Sequence, residues 1–167
     1  MYHTAEIIAE LIRKAIEFDQ GDARRIHHFL KVHEFAALIG HLEDLPENTQ
    51  RILEAAAVLH DIGIHAAEEI YGSTAGKYQE ITGPEPARDI LEGLDWLAGD
   101  TERICWLIAH HHTYDHVTSL DHQILLEADF LVNAYEDTMS TEAICTFRDK
   151  IFRTESGIAL LNTVYDL

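Results

Sequence analysis

Cysteine is nearly missing from this chain: Cys105 and Cys145 are the two it has in 167 residues. That is too few for a disulfide framework, and Cys105 falls inside an apolar helical pattern, so a reducing compartment is expected. Neither thiol has a basic neighbour in sequence that would activate it as a nucleophile. Only three prolines occur, and there is no internal repeat, low-complexity segment, linker or phosphate-cradling loop of the P-loop pattern. No apolar run approaches the length of a membrane span, and the start Met1-Tyr2-His3-Thr4-Ala5-Glu6 lacks the basic and apolar regions of a signal peptide. A cytoplasmic protein that leaves membranes alone is expected. Cations are scarce as well: 12 Lys and Arg stand against 30 Asp and Glu, a formal net charge of -18. Binding to a nucleic-acid backbone rests on clustered Lys and Arg, so that partner is excluded. An anionic small molecule stays compatible if positive charge is local, as a metal ion and a few basic side chains in one pocket. The acid surplus itself serves solubility.

What the chain does have is helical periodicity. Ile7, Ile8, Leu11, Ile12, Ala15 and Ile16 form an amphipathic stripe that stops near Gly21. Asp22 suits the N-cap of the next helix, Pro46 the first turn of a third, and Gly63 its end. Pro84 opens a helix that closes by Gly93, and further helices are predicted near 101–112, 120–136, 140–150 and 155–165. The stretch from Ala66 to Gly83 reads as a long irregular loop, and a loop of that length in a small helical domain is more often functional than incidental. No alternating run supports a strand. The fold class is therefore all-α, a compact helical bundle, with residues 1–167 forming a single domain around one core.

Polar residues of ligand type sit on apolar helical faces at four places. The helix through Ala55-Ala56-Ala57-Val58-Leu59 ends in His60-Asp61, and a carboxylate left unpaired there would shift its pKa or destabilise the fold. A shared cation resolves the conflict, since adjacent His and Asp offer nitrogen and oxygen to one ion. Taken alone, the dipeptide reads equally well as a capped helix end with a solvated Asp. His28 heads a stripe continued by Val32, Phe35, Ala36 and Ile39, whereas His27 and His33 fall on other faces. Asp129 lies between Leu125 and Val132 on an inward stripe. His111 continues Ile104 and Leu107 within His110-His111-His112. Each has a bland explanation by itself; four helices needing separate ones make a common ligand site the better account.

The order His28, His60-Asp61, Asp129 resembles the HD superfamily of metal-dependent phosphohydrolases, and the chain looks like a small bacterial single-domain member. The local contexts agree: Arg25 three residues before His28, the run Ala57 to Gly63, and Glu127-Ala128-Asp129. The resemblance covers about residues 22–135, leaving 1–21 and 138–167 as flanking helices of the same domain. It implies His28, His60, Asp61 and Asp129 as metal ligands, with Asp61 the catalytic, bridging carboxylate. It also implies a second, weaker ion on His110 and His111. Two departures stand out. Gly83 occupies the place where multinuclear members carry a further His before a Pro, so that either the second metal site is weak or Glu80, Glu85 or His65 supplies that ligand. The Gly-Tyr-Pro tail of the cyclic-dinucleotide branch is missing after the His cluster.

An imidazole-rich shell favours Fe, Mn, Co, Ni or Zn over Mg, and such an ion would activate water and polarise a phosphoryl oxygen. The substrate implied is a small phosphate ester or anhydride, a nucleotide foremost, with deoxynucleoside monophosphates and diadenosine tetraphosphate among the substrates of similar bacterial members. Lys77, in the loop after the dipeptide, and Arg25 are the candidates for holding substrate phosphate. The other reading is a metal-containing domain that binds a nucleotide as a sensor without turnover. A homo-oligomer is left open.

Overall fold

The computed structural model describes residues 4–167; residues 1–3, part of the start read above for a targeting signal, lie outside the described residues. Ten helices and no strand occur among the described residues, so the all-α class holds. They are α1 (Thr4–Phe18), α2 (Ala23–Leu42), α3 (Glu47–Leu59), α4 (Ile64–Tyr71), α5 (Gly76–Thr82), α6 (Pro84–Gly93), α7 (Ala98–Ile108), α8 (Leu120–Glu136), α9 (Thr141–Ile151) and α10 (Glu155–Tyr165). No helix is long and apolar enough to cross a membrane among the described residues.

Local chemistry sets most of these boundaries. Asp22 caps α2 by accepting the Arg25 amide at 3.1 Å, while Ser140 and Thr154 cap α9 and α10 in the same way. Pro46 stands one residue earlier than expected, at the N-cap of α3, where its φ of -57° leads into the helix. That helix stops at Leu59, so His60 to Gly63 form a turn that delivers the dipeptide rather than a last helical turn.

α8 runs through the middle of the molecule and is buried from Asp121 to Ala134 except at Asn133. α2 packs against both α3 and α8, and α3 also meets α7. Leu53, Leu59, Ile124 and Leu125 are fully buried between them, each contributing roughly 1.5–3 kcal/mol of burial free energy. Because α2, α3 and α8 share this packing, any polar residue on their inner faces is carried to the same place.

Two expectations are corrected. The stretch 66–83 is mostly helical, as α4 and α5, with only residues 72–75 irregular between them. Ala66-Ala67-Glu68-Glu69 are good helix formers, and Gly72 ends α4 in the left-handed conformation at φ 64°. α7 closes at Ile108, four residues before the predicted end, so the three consecutive histidines lie on the turn that follows it.

Candidate metal centre

Three imidazoles meet here, and each has its Nδ1 engaged. His60 Nδ1 lies 2.7 Å from the Ala57 carbonyl and His111 Nδ1 lies 2.6 Å from the Ile108 carbonyl. His28 Nδ1 lies 3.2 Å from both carboxylate oxygens of Glu136. Carbonyls and carboxylates only accept, so all three Nδ1 atoms donate, and every Nε2 is left as the ligating side. The three Nε2 atoms converge on two carboxylates. His28 Nε2 is 3.1 Å from His60 Nε2, 3.2 Å from Asp61 Oδ2 and 3.3 Å from Asp129 Oδ1. His60 Nε2 is 3.3 Å from Asp129 Oδ1, and His111 Nε2 is 3.4 Å from Asp61 Oδ1. His28, His60, His111 and Asp129 are all buried, and Asp61 is 9% exposed.

This donor set suits a cation. Ligand atoms held at about 2.1 Å from one ion lie roughly 3.0–3.4 Å from each other, which is the spacing observed. Asp129 Oδ1 and His111 Nε2 are buried without a hydrogen-bond partner, a costly state for polar atoms unless a further group satisfies them. The electrostatics say the same. Burial opposes charge on His28, yet the carboxylates of Asp129 and Asp61 outweigh it and push its pKa up to about 10. Burial also opposes ionisation of Asp61, but His60, His111 and His28 hold it well below the ordinary carboxylate range. Asp129 is lowered by His28 and His60 against the same desolvation. A positive charge is what this pocket stabilises.

Asp61 stands between two groups of ligand-type atoms, one with His28 and His60, the other with His111 and His112. His112 was missed in the sequence, where its only signal is its place in the histidine run. Its ring packs over Gly76, where a Cβ would meet it at 2.5 Å. Burial and the neighbouring His111 lower its pKa to about 4, so it is neutral at physiological pH. His110 is placed elsewhere: its Nδ1 meets the Trp106 carbonyl at 2.7 Å and its ring stacks on Trp106. Glu136 was also missed, although it lies seven residues after Asp129, two turns along the same face of α8.

The residues expected to replace an imidazole at Gly83 do not reach this centre. Glu80 accepts from the His112 amide and the Thr113 hydroxyl, and His65 lies beside Asp19 and Asp22; no contact among the described residues places Glu85 there. Gly83 itself packs backbone to backbone on Gly63, and a Cβ on it would meet Ile108 Cγ2 at 2.7 Å and the Gln79 carbonyl at 2.9 Å. Glycine is there for close approach.

A cavity of about 160 Å³ opens on the centre and is lined by Asp61, Asp129, Arg24, Arg25, His112 and Asn133, among others. Arg25 Nη1 donates to Asp61 Oδ2 at 2.9 Å. Lys77 does not line this cavity; its ammonium sits 4.7 Å from the centroid of the Tyr78 ring. The helical course of α5 explains the difference from the loop expected there.

Residues 25–148 match the HD domain family. Over 97% of its length the chain is 27% identical to a predicted HD superfamily hydrolase from an uncultured Thermotogales bacterium, and superposes on 84% of that crystal structure with a TM-score of 0.64. No curated protein matches it.

Proposed function

The chain belongs to the HD domain family of metal-dependent hydrolases, and from that premise we propose that it is a phosphohydrolase for a small phosphate ester or anhydride, a nucleotide foremost. In this reading residues 1–167 form a single cytoplasmic domain. The observation that carries it is the set of three Nε2 atoms left as ligating atoms by fixed Nδ1 contacts and aimed at two buried carboxylates.

His28, His60, Asp61 and Asp129 would hold a tight divalent ion, and Asp61 with His111 and His112 a weaker second one. Imidazole ligands favour Fe, Mn, Co, Ni or Zn over Mg. When bound, the ion supplies Lewis-acid polarisation of a phosphoryl oxygen and lowers the pKa of water toward neutrality. The protein's own groups do the rest. Asp61 faces both ligand groups, with Oδ1 toward His111 and Oδ2 toward His28. Arg25 fixes the orientation of that carboxylate and lines the cavity where a phosphate would sit. His112, uncharged, has a lone pair to offer an ion. The attacking water forms a new P–O bond, the bond from phosphorus to the leaving oxygen breaks, and a proton of the water passes to the leaving oxygen. No side-chain nucleophile takes part.

The sensor reading drew its support from the imidazole missing at Gly83, and close packing gives that glycine a separate reason to be there. Purified protein should contain a divalent transition metal and hydrolyse phosphate esters only when it is present. Asp61→Ala should lose both metal and turnover. Full metal content with turnover in that variant would overturn the assignment, and nucleotide binding without turnover by the loaded wild type would favour the sensor.

A further inference from the structure

Beside the cavity at the metal centre lies a wider groove of about 490 Å³, and the two share Arg24 and Glu136. Ala23, His27 and Lys31 complete the groove. Arg24, His27 and Lys31 follow one another at helical spacing, so one exposed face of α2 presents two fixed cations and an imidazole alongside the site. In a chain of net charge -18 such a stripe is unusual, and Arg24 is unusual within it. Arg13, Arg25, Arg51, Arg88, Arg103 and Arg148 each pair with a carboxylate, and the Arg153 guanidinium donates to the Phe152 and Lys150 carbonyls. Arg24, exposed at the mouth of the cavity, has no carboxylate partner among the described residues.

Acid on the route is limited. Glu136 is already shared between His28 Nδ1 and Lys31 Nζ, at 3.2 Å and 2.9 Å, so it does not stand as a free negative charge. Asp137 is the further carboxylate on the cavity wall. No Phe, Tyr or Trp lines the groove; its one ring is the His27 imidazole, set between Arg24 and Lys31. The cavity of about 160 Å³ reaches Asp61 and Asp129, and the groove that adjoins it adds positive charge on its outer side.

We propose that the groove binds a second anionic group of the substrate, with Arg24 as its principal contact and His27 and Lys31 beside it. This rests on the phosphohydrolase reading and narrows it: the substrate class is a molecule with two phosphate groups close together, a phosphoanhydride or a bisphosphate, and Arg24 determines that preference.

The test uses full-length protein loaded with Mn²⁺ and two non-hydrolysable probes, methylphosphonate and methylenediphosphonate, titrated calorimetrically with metal content checked afterwards. Wild type should bind the diphosphonate at least tenfold more tightly than the monophosphonate. Arg24→Gln should bring the two within about twofold while keeping its metal and its affinity for methylphosphonate. Lys150→Gln, which removes another exposed cation away from the groove, should keep the preference; comparing variants cancels any chelation of free metal by the probe. Equal diphosphonate affinity in Arg24→Gln and wild type, with metal-dependent binding of both probes, would overturn this inference alone. Failure of either probe to bind in a metal-dependent way would overturn the phosphohydrolase reading and this inference with it.

Discussion

Asp19 lies just outside the metal centre and shows how burial alone reshapes a single residue. It is 5% exposed, its Oδ1 has no hydrogen-bond partner, and His65 stands 3.6 Å away. Burial raises its pKa to about 6 although His65 pulls the other way. A folded-state pKa above the unfolded value means the native chain holds the proton more tightly. The stability this provides is complete below about pH 4 and is lost as pH rises through about 6. Asp19→Asn cannot ionise, so between pH 4 and 7 wild type should lose up to about 2 kcal/mol relative to the variant, read from urea unfolding across that range. A constant difference would mean that Asp19 stays ionised in the fold. At this scale the sequence was informative wherever a polar residue interrupts an apolar stripe: His28, His60, Asp61, Asp129 and His111 all arrive at one place. It was silent on Glu136, which meets His28 from 108 residues away, and on Arg24, which has no carboxylate partner among the described residues. It misled at Lys77 and His110, where the direction of a side chain depends on helix limits that periodicity does not fix.

Those limits are the lesson at the level of elements. Caps by Asp22 and helix-opening prolines mark chemistry that acts within a few residues, and they were legible. The division of 66–83 into α4 and α5 was not, because Gly72, Gly76 and Gly83 look alike in sequence and differ in use: one ends a helix at positive φ, one makes room for the His112 ring, and one meets another backbone. The Gly63–Gly83 crossing sets how close the turn carrying the dipeptide comes to the start of α6. Gly83→Ala should therefore be destabilising by about 1–3 kcal/mol, the usual cost of forcing atoms into a filled space, and should lower metal affinity as well, because the turn that holds His60 and Asp61 must move. Chemical denaturation and metal titration of the variant would read both. An unchanged variant would mean that the crossing relaxes freely, and that the glycine has some reason other than packing. α8 illustrates a second device. Glu127, fully buried, accepts from the amides of Arg153 and Thr154 and from Gln123 Nε2, so the helix that bears Asp129 is tied to the start of α10 by a carboxylate whose bonds are all made locally.

For the molecule as a whole, the net charge is -18, and two of the carboxylates counted in it face each other across three imidazoles in the core. Without a metal ion, protons must balance that charge, as the raised pKa of His28 shows, and two ligand-type atoms remain without a hydrogen-bond partner. An ion that binds only the folded chain stabilises it by mass action, about 2.7 kcal/mol at a hundred times its dissociation constant. For a chain of this size such a gain raises the melting temperature by about 5–10 °C. Removing metal with a chelator should lower Tm by about that amount, and restoring a transition metal should return it. Salt screens the acidic surface and shifts both forms, so the comparison belongs at fixed ionic strength. Asp61→Ala, lacking the carboxylate that faces both groups of ligands, should melt at one temperature with or without metal. If wild type, with metal loss confirmed, melted at the same temperature in both states, the convergence of His28, His60, Asp61, Asp129 and His111 would have to be stable on protons alone, and a structural role for the ion would be excluded.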